Sequence, residues 1–206
     1  MLMTSELFST TGTLTPHAPF DFIKMLAFIG DFTPTEREQT LTADTVTKAI
    51  TQNGQAVAFE LHNLGTTEEP QVGYSLFSQQ PLSDADKIAV AERIYFFLSM
   101  GDDLEPFYAI GRRDASFAPI IARFYGLHQP KFLTPFEIAC WSILAQRQPM
   151  VIAHRVKMAL VQRWGNSITL PDGTTYWAFP EPAQLAGVDA GELTQVVRNE
   201  RKATYL

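Results

Sequence analysis

The residues best suited to chemistry are few, and their spacing argues against the commonest reactions. Four histidines, His17, His62, His128 and His154, share no metal-ligand spacing, and a single cysteine, Cys140, cannot build a zinc site or an internal disulfide. Cys140 lies in an apolar helical stretch and reads as a small core residue rather than a nucleophile. There is no glycine-rich phosphate cradle and no Gly-x-Ser-x-Gly turn. Neither a metal nor another cofactor is expected. What stands out is a polar pair, Gln146-Arg147, shortly before Pro149 in an otherwise helical pattern. Proline has no N–H and its ring clashes with the preceding turn, so the helix must stop or kink there. Read alone, the pair is a solvated helix terminus. Read alone, Phe28, Phe22, Trp141 and Trp177 are packing residues.

The elements around that corner follow from periodicity and capping. Thr134-Pro135-Phe136-Glu137 sets an N-cap threonine, a proline at N1 and a glutamate at N3, a strong helix start. That helix is predicted to run to about Gln146, and a second from Pro149 to Trp164, closed by Gly165. Phe117, Ile120, Ile121 and Phe124 form one apolar stripe of a helix ending at Gly126. Residues 166–180 read as a loop. Pro182–Gly187 and Asp189–Val197 read as short helices, and the last residues as a helix beginning. The first half alternates instead. Leu7–Thr15 reads as an edge strand, and the segment after Pro19 as a mostly buried helix stopped at Gly30. Thr40–Thr51 is predicted as one strand, followed by an Asn53-Gly54 hairpin turn. Val57, Phe59 and Leu61 alternate with Ala58, Glu60 and His62, as do Val72, Tyr74 and Leu76 with their neighbours. Ser83 and Asp86 cap a helix reaching about Met100. The order β-α-β-β-β-α implies an α+β class, an antiparallel sheet with helices on one face, followed by an all-helical part. Two domains are expected, 1–101 and 102–206.

Composition narrows the partners. The 206 residues are 46% hydrophobic and 18% charged, which suits a packed chain rather than a disordered one. No apolar run reaches the roughly 18 residues of a membrane span. The N-terminus has an acid and no basic stretch, so no secretory signal is expected, and a cytoplasmic chain is. The net charge of −6 hides an asymmetry: residues 1–111 hold 5 Lys/Arg against 15 Asp/Glu, and residues 112–206 hold 11 against 7. Two readings fit: phosphate contact by the second half, or ordinary surface variation.

The segment TPFEIACWSILAQRQPMVIAHRVKMALVQRWG, 134–165, resembles the central helix pair of the helix-hairpin-helix DNA glycosylases, and within them the AlkA-type, 3-methyladenine branch. The matching pieces are Phe136-Glu137, Ile143-Leu144-Ala145-Gln146 and Trp164-Gly165. Downstream, AFPEPAQLAGVDAGELTQVVRNERKATYL resembles the family's Phe-Pro-x-Pro and Leu-Ala stretch and the helix that follows. Upstream, PFDFIKMLAFIG resembles the first helix of its TATA-binding-protein-like N-terminal domain. The resemblance implies base-excision repair of alkylated or otherwise damaged purines in double-stranded DNA, with the base flipped out of the stack before its N-glycosidic bond is cut. It places Arg147 in the gap that flipping leaves, with Gln146 beside it. The branch usually has an apolar wedge there. Arginine departs from that, but its flat guanidinium can stack on a base or bond the orphaned partner. The resemblance makes Phe28 a wall of the base pocket, with Trp141 as a further aromatic candidate.

Two parts of the family pattern are absent from this sequence: the Pro-Gly-Ile-Gly-like hairpin that grips a phosphate, and the aspartate that stabilises the cationic sugar. Both are expected beyond Leu206, so residues 1–206 by themselves are expected to be inactive. Asp172, Asp189, Glu192 and Glu200 suit loops and caps. The run Arg198–Lys202 suits either a phosphate contact or a solvated helix start. The rival reading is a non-catalytic protein that binds DNA lesions, and the plainest is a globular protein unrelated to DNA.

Overall fold

A computed structural model describes residues 7–206. The N-terminal stretch on which the absence of a signal was read lies partly outside the described residues. The class is α+β. Five antiparallel strands, β1 (Phe8–Leu14), β2 (Gln39–Leu41), β3 (Thr45–Gln52), β4 (Gln55–Asn63) and β5 (Val72–Ser78), form one sheet in the order β1-β5-β4-β3-β2. The single strand expected over 40–51 is two. The Thr42 hydroxyl accepts the backbone N–H groups of Asp44 and Thr45, a local bond that turns the chain before β3 begins. The Asn53-Gly54 turn forms as expected, with φ of 49° and 76° at its two residues.

Alternation sorts the sheet into two faces. Val46, Ile50, Val57, Phe59, Leu61 and Leu76 look toward α1 (Phe22–Asp31) and α2 (Asp84–Phe97), whose Met25, Ile29, Val90 and Ile94 complete the main core. Asp21 and Ser83 cap these helices by accepting the N–H groups of Lys24 and Asp86. Gly30 is not the stop that was expected. It lies inside α1, which ends at Asp31 and leaves through extended Phe32 toward Pro34.

The second half holds α3 (Glu105–Arg113), α4 (Ala118–Arg123), α5 (Pro135–Ala145), α6 (Met150–Trp164), α7 (Pro182–Ala186), α8 (Ala190–Val197) and α9 (Glu200–Tyr205). Gly126, expected to end a helix, takes φ of 80° just beyond α4. The reading of 166–180 as loop is overturned. Asn166–Thr169 and Thr175–Ala178 pair as a hairpin, β6–β7, turned by Asp172 and by Gly173 at φ of 86°. Its Ile168, Tyr176 and Ala178 cover Ala49, Ala56 and Ala58, the small residues on the other sheet face. The hairpin exists because those alanines leave room and a dry surface for it, a reason four-residue strands do not carry in themselves.

Candidate functional site

The corner between α5 and α6 is built as capping and proline chemistry require. Thr134 accepts the Glu137 N–H at 3.0 Å and opens α5. The last helical residue is Ala145, and α6 begins only at Met150, with Pro149 as its N-cap rather than its first residue. Between them Arg147 takes φ of 54°, the left-handed region that costs a residue with a Cβ about 1–2 kcal/mol. Gln146 and Arg147 are both exposed. Two side chains hold the backbone beneath them. Gln148 Nε2 donates to the Leu144 carbonyl. Lys202 Nζ, arriving from α9, donates to the carbonyls of Leu144 at 2.8 Å and Gln146 at 2.7 Å. These would otherwise be open carbonyls of a helix C-terminus.

Beneath the corner lies a row of aromatic rings. Phe28 on α1 stacks on Phe32 at 5.7 Å, Phe32 meets Phe132 edge-on at 5.8 Å, and Phe132 tilts against Trp141 of α5 at 6.4 Å. Trp141 and Phe132 are buried, whereas Phe28 and Phe32 are half-buried. Ala145 and Ala153, which bracket the corner, pack on the same group. The two candidates Phe28 and Trp141 therefore share one row through Phe32 and Phe132, which the sequence reading did not name. Phe22 is core, and Trp177 lies half-buried on β7.

A buried ionic network fixes the helix pair to the sheet. Lys157 of α6 binds Glu137 of α5 at 2.6 Å and Glu38 at 2.5 Å, and Lys48 of β3 binds Glu38 at 2.8 Å. All four side chains are nearly dry, and their charges cancel. Burial alone would push the Glu38 carboxyl up, but the two lysine charges and their hydrogen bonds hold it at about 2. Burial works against the Lys157 charge, yet Glu137 and Glu38 raise its pKa above the ordinary value. Lys157 Nζ also sits 5.3 Å from the Phe132 ring centre, which ties the network to the aromatic row. Glu137, read as a capping residue, spends its side chain here instead. Burial and the neighbouring Glu137 push the Cys140 thiol up to about 12, so it stays a thiol at neutral pH.

The acids near the C-terminal end stand in turns and caps. Asp172 accepts the Thr174 N–H, Asp189 accepts that of Gly191, Glu192 faces Arg163 at 3.8 Å, and Glu200 lies in the first turn of α9. A cavity of about 900 Å³ lies elsewhere, between α2, the start of α5 and 179–183, and none of Phe28, Trp141, Gln146 and Arg147 lines it. Among the described residues no helix is long and apolar enough to cross a membrane.

No known family profile matches the chain. Over 131 residues, 64% of its length, it is 26% identical to a DNA-3-methyladenine glycosylase of Bacillus subtilis (strain 168), of which that stretch is 43%. Its fold matches a 3-methyladenine DNA-glycosylase from Archaeoglobus fulgidus with a TM-score of 0.72 at 18% identity, over 94% of this chain and 64% of that one. It also matches the 8-oxoguanine glycosylase/lyase of Clostridium acetobutylicum in its apo form, with a TM-score of 0.58 at 13% identity, over 97% of this chain and 62% of that one. The chain thus spans less than two thirds of each relative. In fold, then, this chain is similar to solved 3-methyladenine and 8-oxoguanine DNA glycosylases, and in sequence to a DNA-3-methyladenine glycosylase.

Proposed function

We propose that the chain carries the lesion-reading part of a base-excision DNA glycosylase acting on alkylated or otherwise damaged purines in double-stranded DNA. The single observation that supports this best is the corner. Arg147 stands exposed in a left-handed turn between two packed helices, with the aromatic row beneath it. A duplex that has lost a base from its stack needs the hole filled by something rigid, and a side chain braced by two helices fills it at little cost in ordering. In this reading the unit 1–101 supplies the Phe28 wall and the unit 102–206 supplies Gln146, Arg147 and Trp141. An aromatic face suits a cationic alkylated purine, worth roughly 0.5–2 kcal/mol. The protein works as a cytoplasmic monomer on DNA.

Arg147→Ala tests the reading. The variant is expected to lose about five- to tenfold of its preference for a duplex with an abasic analogue over undamaged duplex, the size of one lost stacking or base contact. Its melting temperature should not change, because the side chain is exposed. An unchanged preference, read by fluorescence anisotropy, would remove the wedge assignment. A second reading, a non-catalytic lesion binder, predicts the same binding result and differs only in the absence of base release by the whole protein.

A further inference from the structure

A cleft of about 320 Å³ runs between the corner and α9. Gln146, Arg147 and Gln148 line one side; Arg201, Lys202 and Tyr205 line the other. Among the described residues no carboxylate lines it, and none of its three cations takes part in an ion pair. Three unneutralised cations around one recess repel one another, so an empty cleft is electrostatically unfavourable and an anion relieves it. Two of them are also held in place. Lys202 has two of its N–H groups on the Leu144 and Gln146 carbonyls, and burial pulls its ammonium below the ordinary value. Arg201 Nε donates to the Tyr205 hydroxyl at 3.2 Å, and its guanidinium lies 5.7 Å from that ring. The guanidinium fork that remains suits the paired oxygens of a phosphodiester.

We propose that this cleft grips a backbone phosphate of the DNA strand next to the nucleotide gap, with Arg201 as the phosphate ligand and Lys202 as the strut that ties the corner to it. The proposal rests on the reading of the corner as a DNA wedge and adds a second, sequence-independent contact on α9. The division of work is physical. Arg147 enters where the base is missing and senses the lesion. Arg201 holds the backbone that flanks it and senses only charge.

The test uses the whole chain, fluorescence anisotropy, and two duplexes, one with an abasic analogue and one undamaged, between about 50 and 200 mM salt. Arg201→Gln is expected to weaken both duplexes alike, by about three- to tenfold, and to make the salt dependence of log K shallower by about one. Arg201→Lys should keep the wild-type salt dependence, since the charge remains. Thermal melting of each variant checks that the fold is intact, and Arg201 is exposed enough for it to stay so. Unchanged affinity and salt dependence in Arg201→Gln would overturn the proposal. So would a loss confined to the abasic duplex with an unchanged salt dependence. If the wild-type chain binds neither duplex, the wedge reading itself fails and the cleft with it. If the wild type binds and Arg201→Gln matches it, only the cleft fails.

Discussion

Arg147 is the point where local chemistry and tertiary need meet. A residue with a Cβ at φ of 54° gives up about 1 kcal/mol that glycine would keep. Nothing in the turn needs an arginine for folding, because its side chain is exposed. Arg147→Gly is therefore expected to raise stability by about 0.5–1 kcal/mol while weakening the preference for abasic duplex. Chemical denaturation and anisotropy on the same preparation decide it. If stability fell together with binding, the arginine would belong to the fold rather than to recognition. The position of the corner was legible because proline acts within one turn of itself. The identity of the ring row was not: Phe32 and Phe132 are 100 residues apart, and nothing local to either residue announces the other.

At the scale of elements, the β6–β7 hairpin shows how a weak local signal is completed elsewhere. Its Asp-Gly turn was present in the sequence, but the flanking strands are four residues each and read as loop. Their stability comes from the sheet face they cover, where Ala56 and Ala58 leave space that larger residues would fill. The Tyr176 hydroxyl donates to Thr40 Oγ1 at 2.8 Å and fixes the register of the lid. Ala58→Leu should push the hairpin off that face and cost about 1–3 kcal/mol in a urea titration. A neutral result would show that the hairpin floats on the sheet. The alanines themselves were the overlooked signal, since an apolar run on the face expected to meet water calls for a cover.

Across the whole molecule, the acidic half and the basic half are joined by the dry Lys48–Glu38–Lys157–Glu137 network. Removing one member leaves a buried charge without its partner. Lys157→Met is thus expected to cost about 3–5 kcal/mol at neutral pH. The pH dependence has a definite sign. Glu38 is held at about 2 against an ordinary value of 4.5. Its contribution to stability is complete above about 4.5 and disappears as the pH falls toward 2. Without Lys157 the Glu38 carboxyl protonates at higher pH and no longer suffers as a poorly paired charge, so the gap between variant and wild type should narrow as pH drops from 7 to about 3. A gap that stays constant across that range, in parallel urea titrations, would disprove the network's role. The same network links the segment that follows α1, the helix carrying Phe28, to α6, the helix that begins just after Arg147.

The sequence by itself determined the strand alternation, the capped helix starts and the break before Pro149, since each depends on residues within a turn or a pleat of one another. It also carried, through motif resemblance, the placement of Gln146 and Arg147 at that break. Only the tertiary structure decided that Phe28 and Trp141 share a ring row, that Glu137 binds Lys157 rather than its own cap, and that Lys202 reaches back to brace the corner. Those contacts join residues 20 to more than 100 positions apart, and which of many chemically acceptable partners meet is settled by how the sheet, the helices and the hairpin pack together.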